Sequence, residues 1–162
     1  MTGPIPLPLS TTAKWNVTHK VIITYADLVA LGASATGVIQ IFPGVSGVSG
    51  PAQMLVGNVF YDLVTAFDFS DSGITSLTVQ AGLTGGDTDA YLAATEIAAD
   101  GTEILGLVAS TTTQPAIIVA ADTIDLLFTA ANGGSPLLSE TTSGEIHVYF
   151  KILATKELRT VA

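Results

Sequence analysis

Residues 14–25, KWNVTHKVIITY, decide the fold. Trp15, Val17, His19, Val21, Ile23 and Tyr25 fall on one side of an extended chain, and Asn16, Thr18, Lys20 and Thr24 on the other. Successive side chains point to opposite faces only in a strand, so this period of two reads as a half-buried β-strand. Outward from it the same signature recurs in short runs: Gly37–Phe42, Gln53–Tyr61, Leu63–Phe69, Ile74–Ala81, Glu103–Ala109, Ala116–Ala120, Thr123–Ala130 and Glu145–Leu153. Between them lie turn-forming stretches, among them Asp71-Ser-Gly73, Gly85-Gly-Asp-Thr-Asp89 and Asn132-Gly-Gly134. Gly44-Val-Ser-Gly-Val-Ser-Gly-Pro51 repeats a three-residue unit and reads as a loop.

Helix is scarce. Tyr25–Leu31 reads as a short helical turn. Ala90–Ala99 (AYLAATEIAA) is the most helix-like stretch, with Asp87 or Asp89 as cap and Gly101 as stop. Eight or more short strands with Gly-rich turns predict an all-β antiparallel β-sandwich, jelly-roll-like, with at most one or two short helices. Strand count alone leaves an immunoglobulin-like topology open.

Composition agrees. The chain has 162 residues, enough for one domain with a buried core. Only 12% of residues are charged, about half the usual share of roughly 25%. The polarity comes instead from 22 Thr and 11 Ser, and Thr suits pleated surfaces because its branched Cβ restricts χ1. A mean hydropathy of +0.57 with so few charges points to a surface partly buried against other subunits. The alternative is a hydroxyl-covered monomer kept soluble by its net charge of −9.

The charges are segregated. Lys14 and Lys20 stand near the start, Lys151, Lys156 and Arg159 near the end, and no Lys or Arg lies between Val21 and Phe150, where 13 of the 14 acids fall. Such a body repels phosphate backbones, so no nucleic-acid partner is expected. The basic ends suit an acidic neighbour. If the first and last strands are adjacent, Lys14, Lys20 and Lys151 gather into one basic edge.

Residues 1–13 carry Pro4, Pro6 and Pro8 alternating with Ile5, Leu7 and Leu9. The prolines hold an extended path and forbid a helix. This segment reads as an arm that lies on a neighbour, followed by a sandwich over 14–155 and a basic tail over 156–162. The candidate partner-binding residues are therefore Pro4, Ile5, Pro6, Leu7, Pro8, Leu9, Lys14, Lys20, Lys151, Lys156 and Arg159.

No chemistry-bearing motif stands out, and neither a cofactor nor an enzyme activity is expected. There is no Cys, so thiolate sites are excluded. His19 and His147 show no zinc spacing and accompany no G-x-S-x-G elbow. Asp68, Asp71, Asp87 and Asp89 sit near turns, where Asp routinely bonds its own backbone, and no EF-hand loop is present. Gly82-Leu-Thr-Gly-Gly86 lacks the lysine of a phosphate loop. Asn16-Val-Thr18 matches a glycosylation acceptor, but no signal peptide is read at the start and no apolar run reaches the ~20 residues of a membrane span. Synthesis in a cytoplasm is expected.

Three stretches carry a resemblance: Trp15–Leu31, the Gly85-Gly-Asp-Thr-Asp-Ala-Tyr-Leu-Ala-Ala94 segment after Leu-Thr-Val-Gln-Ala-Gly82, and Thr142-Ser-Gly-Glu-Ile-His-Val-Tyr-Phe150. Together they cover about a third of the chain, and the chain resembles small β-rich virion proteins of tailed bacteriophages that decorate or build the head. The resemblance implies a non-enzymatic capsid decoration or cement protein on the virion surface. It would act as a homotrimer bound to the major capsid protein lattice, with avidity from many identical sites. The alternatives are another virion part, such as a tail or fibre component, and a carbohydrate-binding jelly-roll module.

Overall fold

The computed structural model describes residues 2–6, 17–42, 54–83, 87–99, 103, 105–109, 116–118 and 124–154. Within them the strands are β1 (Thr2–Pro6), β2 (His19–Thr24), β3 (Thr36–Phe42), β4 (Met54–Phe69), β5 (Ser76–Leu83), β6 (Leu92–Glu96), β7 (Gly106–Ala109), β8 (Ala116–Ile118), β9 (Ile124–Ala131) and β10 (Thr141–Ala154). A five-residue helix α1 (Tyr25–Val29) and a 3-10 turn at Leu138–Glu140 complete the elements. The chain is an all-β antiparallel sandwich.

One sheet runs in the order β1-β2-β10-β4-β7, with β8 on the same flank of β4 as a separate piece; the other runs β3-β9-β5-β6. The first and last long strands are neighbours, which meets the condition for a basic edge: Ile22 pairs with His147 and Lys20 with Tyr149. From β2 to β5 every connection crosses between the sheets. Among the described strands, only the steps from β1 to β2 and from β5 to β6 join hydrogen-bonded neighbours of one sheet.

Alternation builds the core. Val21 and Ile23 of β2, Ile146, Val148 and Phe150 of β10, and Val59, Tyr61 and Leu63 of β4 are buried on the inner face. They meet Leu77, Val79 and Ala81 of β5 and Ile124, Leu126 and Phe128 of β9 within one cluster. Each large side chain so buried contributes about 1.5–3 kcal/mol.

Several readings change. Gln53–Tyr61 and Leu63–Phe69 are one strand, β4, because nothing between them turns the chain and β10 pairs along the whole length. Tyr25 leaves the strand face: it starts α1 and is 45% exposed. Ala90–Ala99 is not a helix. Leu92–Glu96 forms β6 against β5, a tertiary override of Ala-rich propensity. Glu96 explains the choice, since its carboxylate accepts from the Leu77, Ile97 and Ala98 backbone N–H groups and from the Ser76 hydroxyl at 2.7–3.1 Å. A helix would take the carboxylate away from the Leu77 N–H and the Ser76 hydroxyl on β5. Lys14, Trp15 and Asn16, and the Gly44–Pro51 loop, lie outside the described residues.

α1 begins with a built entry. The Asp27 carboxylate accepts from the backbone N–H and the hydroxyl of Thr24, each at 2.9 Å. Burial pushes the Asp27 pKa up, but its hydrogen bonds, those from Thr24 among them, outweigh this and hold it below the usual 3.8. A depressed folded-state pKa adds stability above the unfolded value that is lost as pH falls through the folded one. Asp27→Ala is thus expected to cost about 1 kcal/mol at neutral pH. The difference from wild type should shrink and be lost as pH falls through the depressed folded-state pKa, below the usual carboxylate range, as measured by urea unfolding across pH.

Candidate functional site

Lys20 and Lys151, the candidate residues whose side chains the structure describes, lie on the outer face of the first sheet. On β2, Lys20, Ile22 and Thr24 point outward; on β10, Glu145, His147, Tyr149 and Lys151 do so, because the residues between them are buried. Pairing then sets rows across the sheet. One holds Ile22, His147 and Asp62; the next holds Ile5, Lys20, Tyr149 and Phe60. Lys151 follows two residues beyond Tyr149, opposite Gly57. Lys20 and Lys151 therefore share one corner, diagonal neighbours across the β2–β10 pair.

The far end of the same sheet is acidic. Glu145 pairs with Thr24, just before Asp27; Thr141 pairs with Phe69, beside Asp68, Asp71 and Glu140. At the basic end the second sheet carries Asp125 near the start of β9, with Asp87 and Asp89 in the connection after β5. The cations thus form a corner of the first sheet and not a whole end of the molecule.

Pro4, Ile5 and Pro6 lie in β1, which pairs with β2 of its own chain across a register shift between Thr2 and Ile5. Leu7, Pro8, Leu9, Lys14, Lys156 and Arg159 lie outside the described residues.

His147 is set between charges. Its Nε2 lies 2.6 Å from Glu145 Oε1, and its ring meets the Tyr149 ring edge-on at 6.4 Å between centroids. Burial and then the Asp62 charge push the Tyr149 hydroxyl pKa up. Asp62 falls between the two strands that the sequence pattern predicts, Gln53–Tyr61 and Leu63–Phe69, and so carries no signal as a partner of this group. A continuous β4 would have placed it opposite His147. His19 lies at the end of β2 with Nδ1 2.8 Å from the Thr18 hydroxyl, and burial lowers its pKa. In acid, protonation of the unfolded chain's His19 ahead of the folded one removes stability as pH drops below about 6.5.

Asp87 raises the pKa of Asp89 through a shared hydrogen bond and its charge. Among the described residues no group of three His, Asp or Glu side chains is arranged to hold a metal ion. A shallow cleft of about 100 Å³ on the second sheet is lined by Val38, Leu83, Thr88, Asp125 and Leu127. A second of about 170 Å³ lies beside Phe67, Phe69, Ile74 and Ala98. No helix is long and apolar enough to cross a membrane among the described residues. Comparison of the chain with protein-family models and with curated proteins finds no match.

Proposed function

We propose that this chain is a non-enzymatic virion structural protein, a capsid decoration or cement protein that binds and stabilises the head lattice as an oligomer. The observation that carries the reading is the charge layout of the first sheet: Lys20 and Lys151 share a corner with Tyr149 between them, on a chain of net charge −9. That corner is an anionic partner's docking point, with an aromatic at its centre and a charged rim. The strand order supports the same reading. β2-β10-β4-β7 over β3-β9-β5-β6 is compatible with a jelly-roll-like sandwich, an architecture used by capsid subunits and also by lectins. Fold alone leaves both open, and the charge layout favours assembly.

The test uses the purified chain and undecorated capsids of a tailed phage. Co-sedimentation should saturate at a fixed ratio to the capsid protein and weaken as salt rises. Lys20→Glu combined with Lys151→Glu should reduce binding at least tenfold while leaving the unfolding transition in place. Absence of binding by the wild-type chain would remove the proposal, and binding indifferent to the double substitution would move the contact elsewhere.

A further inference from the structure

Each sheet of a sandwich ends in two edge strands whose outer N–H and C=O groups invite another strand, and edges are normally guarded by shortness, proline, charge or a bulge. Three of the four edges here are guarded. β1 carries Pro4 and Pro6 in five residues. The open flank of β4 is covered in pieces, by β7, by β8 and by the Phe67–Ala98 bridge, and both strands are short. β6 is five residues long, ends at Glu96, and pairs across a register shift between Val79 and Ala81.

β3 is the exception. Its seven residues, Thr36–Phe42, contain no proline and no charge. It pairs with β9 on one side, and among the described residues no strand pairs with its other side. β1 of the facing sheet comes alongside it without pairing. The register shift against β9 falls between Gln40 and Phe42, which leaves Thr36–Gln40 regular. The centre of that run is Val38, whose apolar side chain is 51% exposed.

We propose that β3 pairs antiparallel with β3 of a second copy, in a register centred on Val38. Two-fold pairing then sets Val38 against its own counterpart on the outer face and Thr36 against Gln40 of the second copy. On the inner side Gly37 meets Ile39. No like charges meet, the exposed valine is covered, and the two four-stranded sheets become one of eight strands. The contact is isologous, so it joins copies in pairs.

Mass in solution reads this without any capsid present, so its failure and the failure of the proposed function are separate events. The wild-type chain should have the mass of two copies by analytical ultracentrifugation at micromolar concentration. Val38→Lys alone and Val38→Glu alone should each set like charges directly opposite and weaken self-association at least tenfold. An equimolar mixture of the two should return to the mass of two copies. Each variant should keep the wild-type thermal transition within a few degrees, because the substitution is exposed. A wild-type mass of one or three copies overturns the proposal. So does a charged variant that stays paired, or a mixture that does not pair.

Discussion

Gly144→Ala should cost about 3 kcal/mol or more and lower Tm by roughly 10 °C, the largest effect expected of removing so little space. Gly144 is buried within β10 at φ +131, a region that side-chain-bearing residues rarely adopt. A Cβ there would lie 2.3 Å from two ring atoms of Phe67 and 2.8 Å from its Cα. In a loose core the ring would turn away from such an intrusion, but Phe67 is fully buried and its backbone is held by Ile97 and Ala99 at 2.9 and 2.8 Å. Backbone strain and overpacking therefore add. Gly134 is the control: a Cβ there meets nothing within 4 Å, so Gly134→Ala should change stability by less than about 0.5 kcal/mol. Equal midpoints for the two variants in guanidinium unfolding would refute the account.

Phe128→Ala should cost about 3–5 kcal/mol. Phe128 is fully buried in the middle of β9, paired with Gly37 on one side and Val79 on the other. Strands on both flanks hold the backbone, so the cavity cannot collapse. Phe60 on β4 is the comparison, since it points outward and is only half-buried. Phe60→Ala should cost no more than about half as much, because less apolar surface is withdrawn from water there. Chemical denaturation of both variants decides it, and a smaller loss at Phe128 than at Phe60 would contradict the assignment of faces.

Alternation made most of this readable before any coordinates. In β2 and β10 the apolar residues recur every second position, so inner and outer faces follow directly, while their pairing entered only as a condition for a basic edge. What alternation could not supply was length and partner choice. Asp62 interrupts an apolar run and looks like a break, yet it is an outward residue of an unbroken β4 opposite His147. In β6, Ala and Glu are good helix formers, and only the Leu77 and Ser76 donors on another strand make Glu96 more useful in a sheet. Tyr25 continues the period of two, but Asp27, two residues on, folds back to Thr24 and ends the strand. The basic corner was legible only on condition that these two strands pair. The unguarded edge was not, because which strands lie outermost is a property of the whole topology.

The last strand of the chain lies in the middle of its sheet. β10 bonds β2 on one side and β4 on the other, so the sheet has a gap at its centre until the C-terminal part is made. Loop closure between the first and last long strands must be met before their pairing returns anything, which places folding in the slow range of milliseconds to seconds typical of sandwiches. During synthesis β2 and β4 each wait with an open side for the same strand. Order in time and order in space run opposite ways, and the sheet closes as a unit only after Thr141–Ala154 has been made.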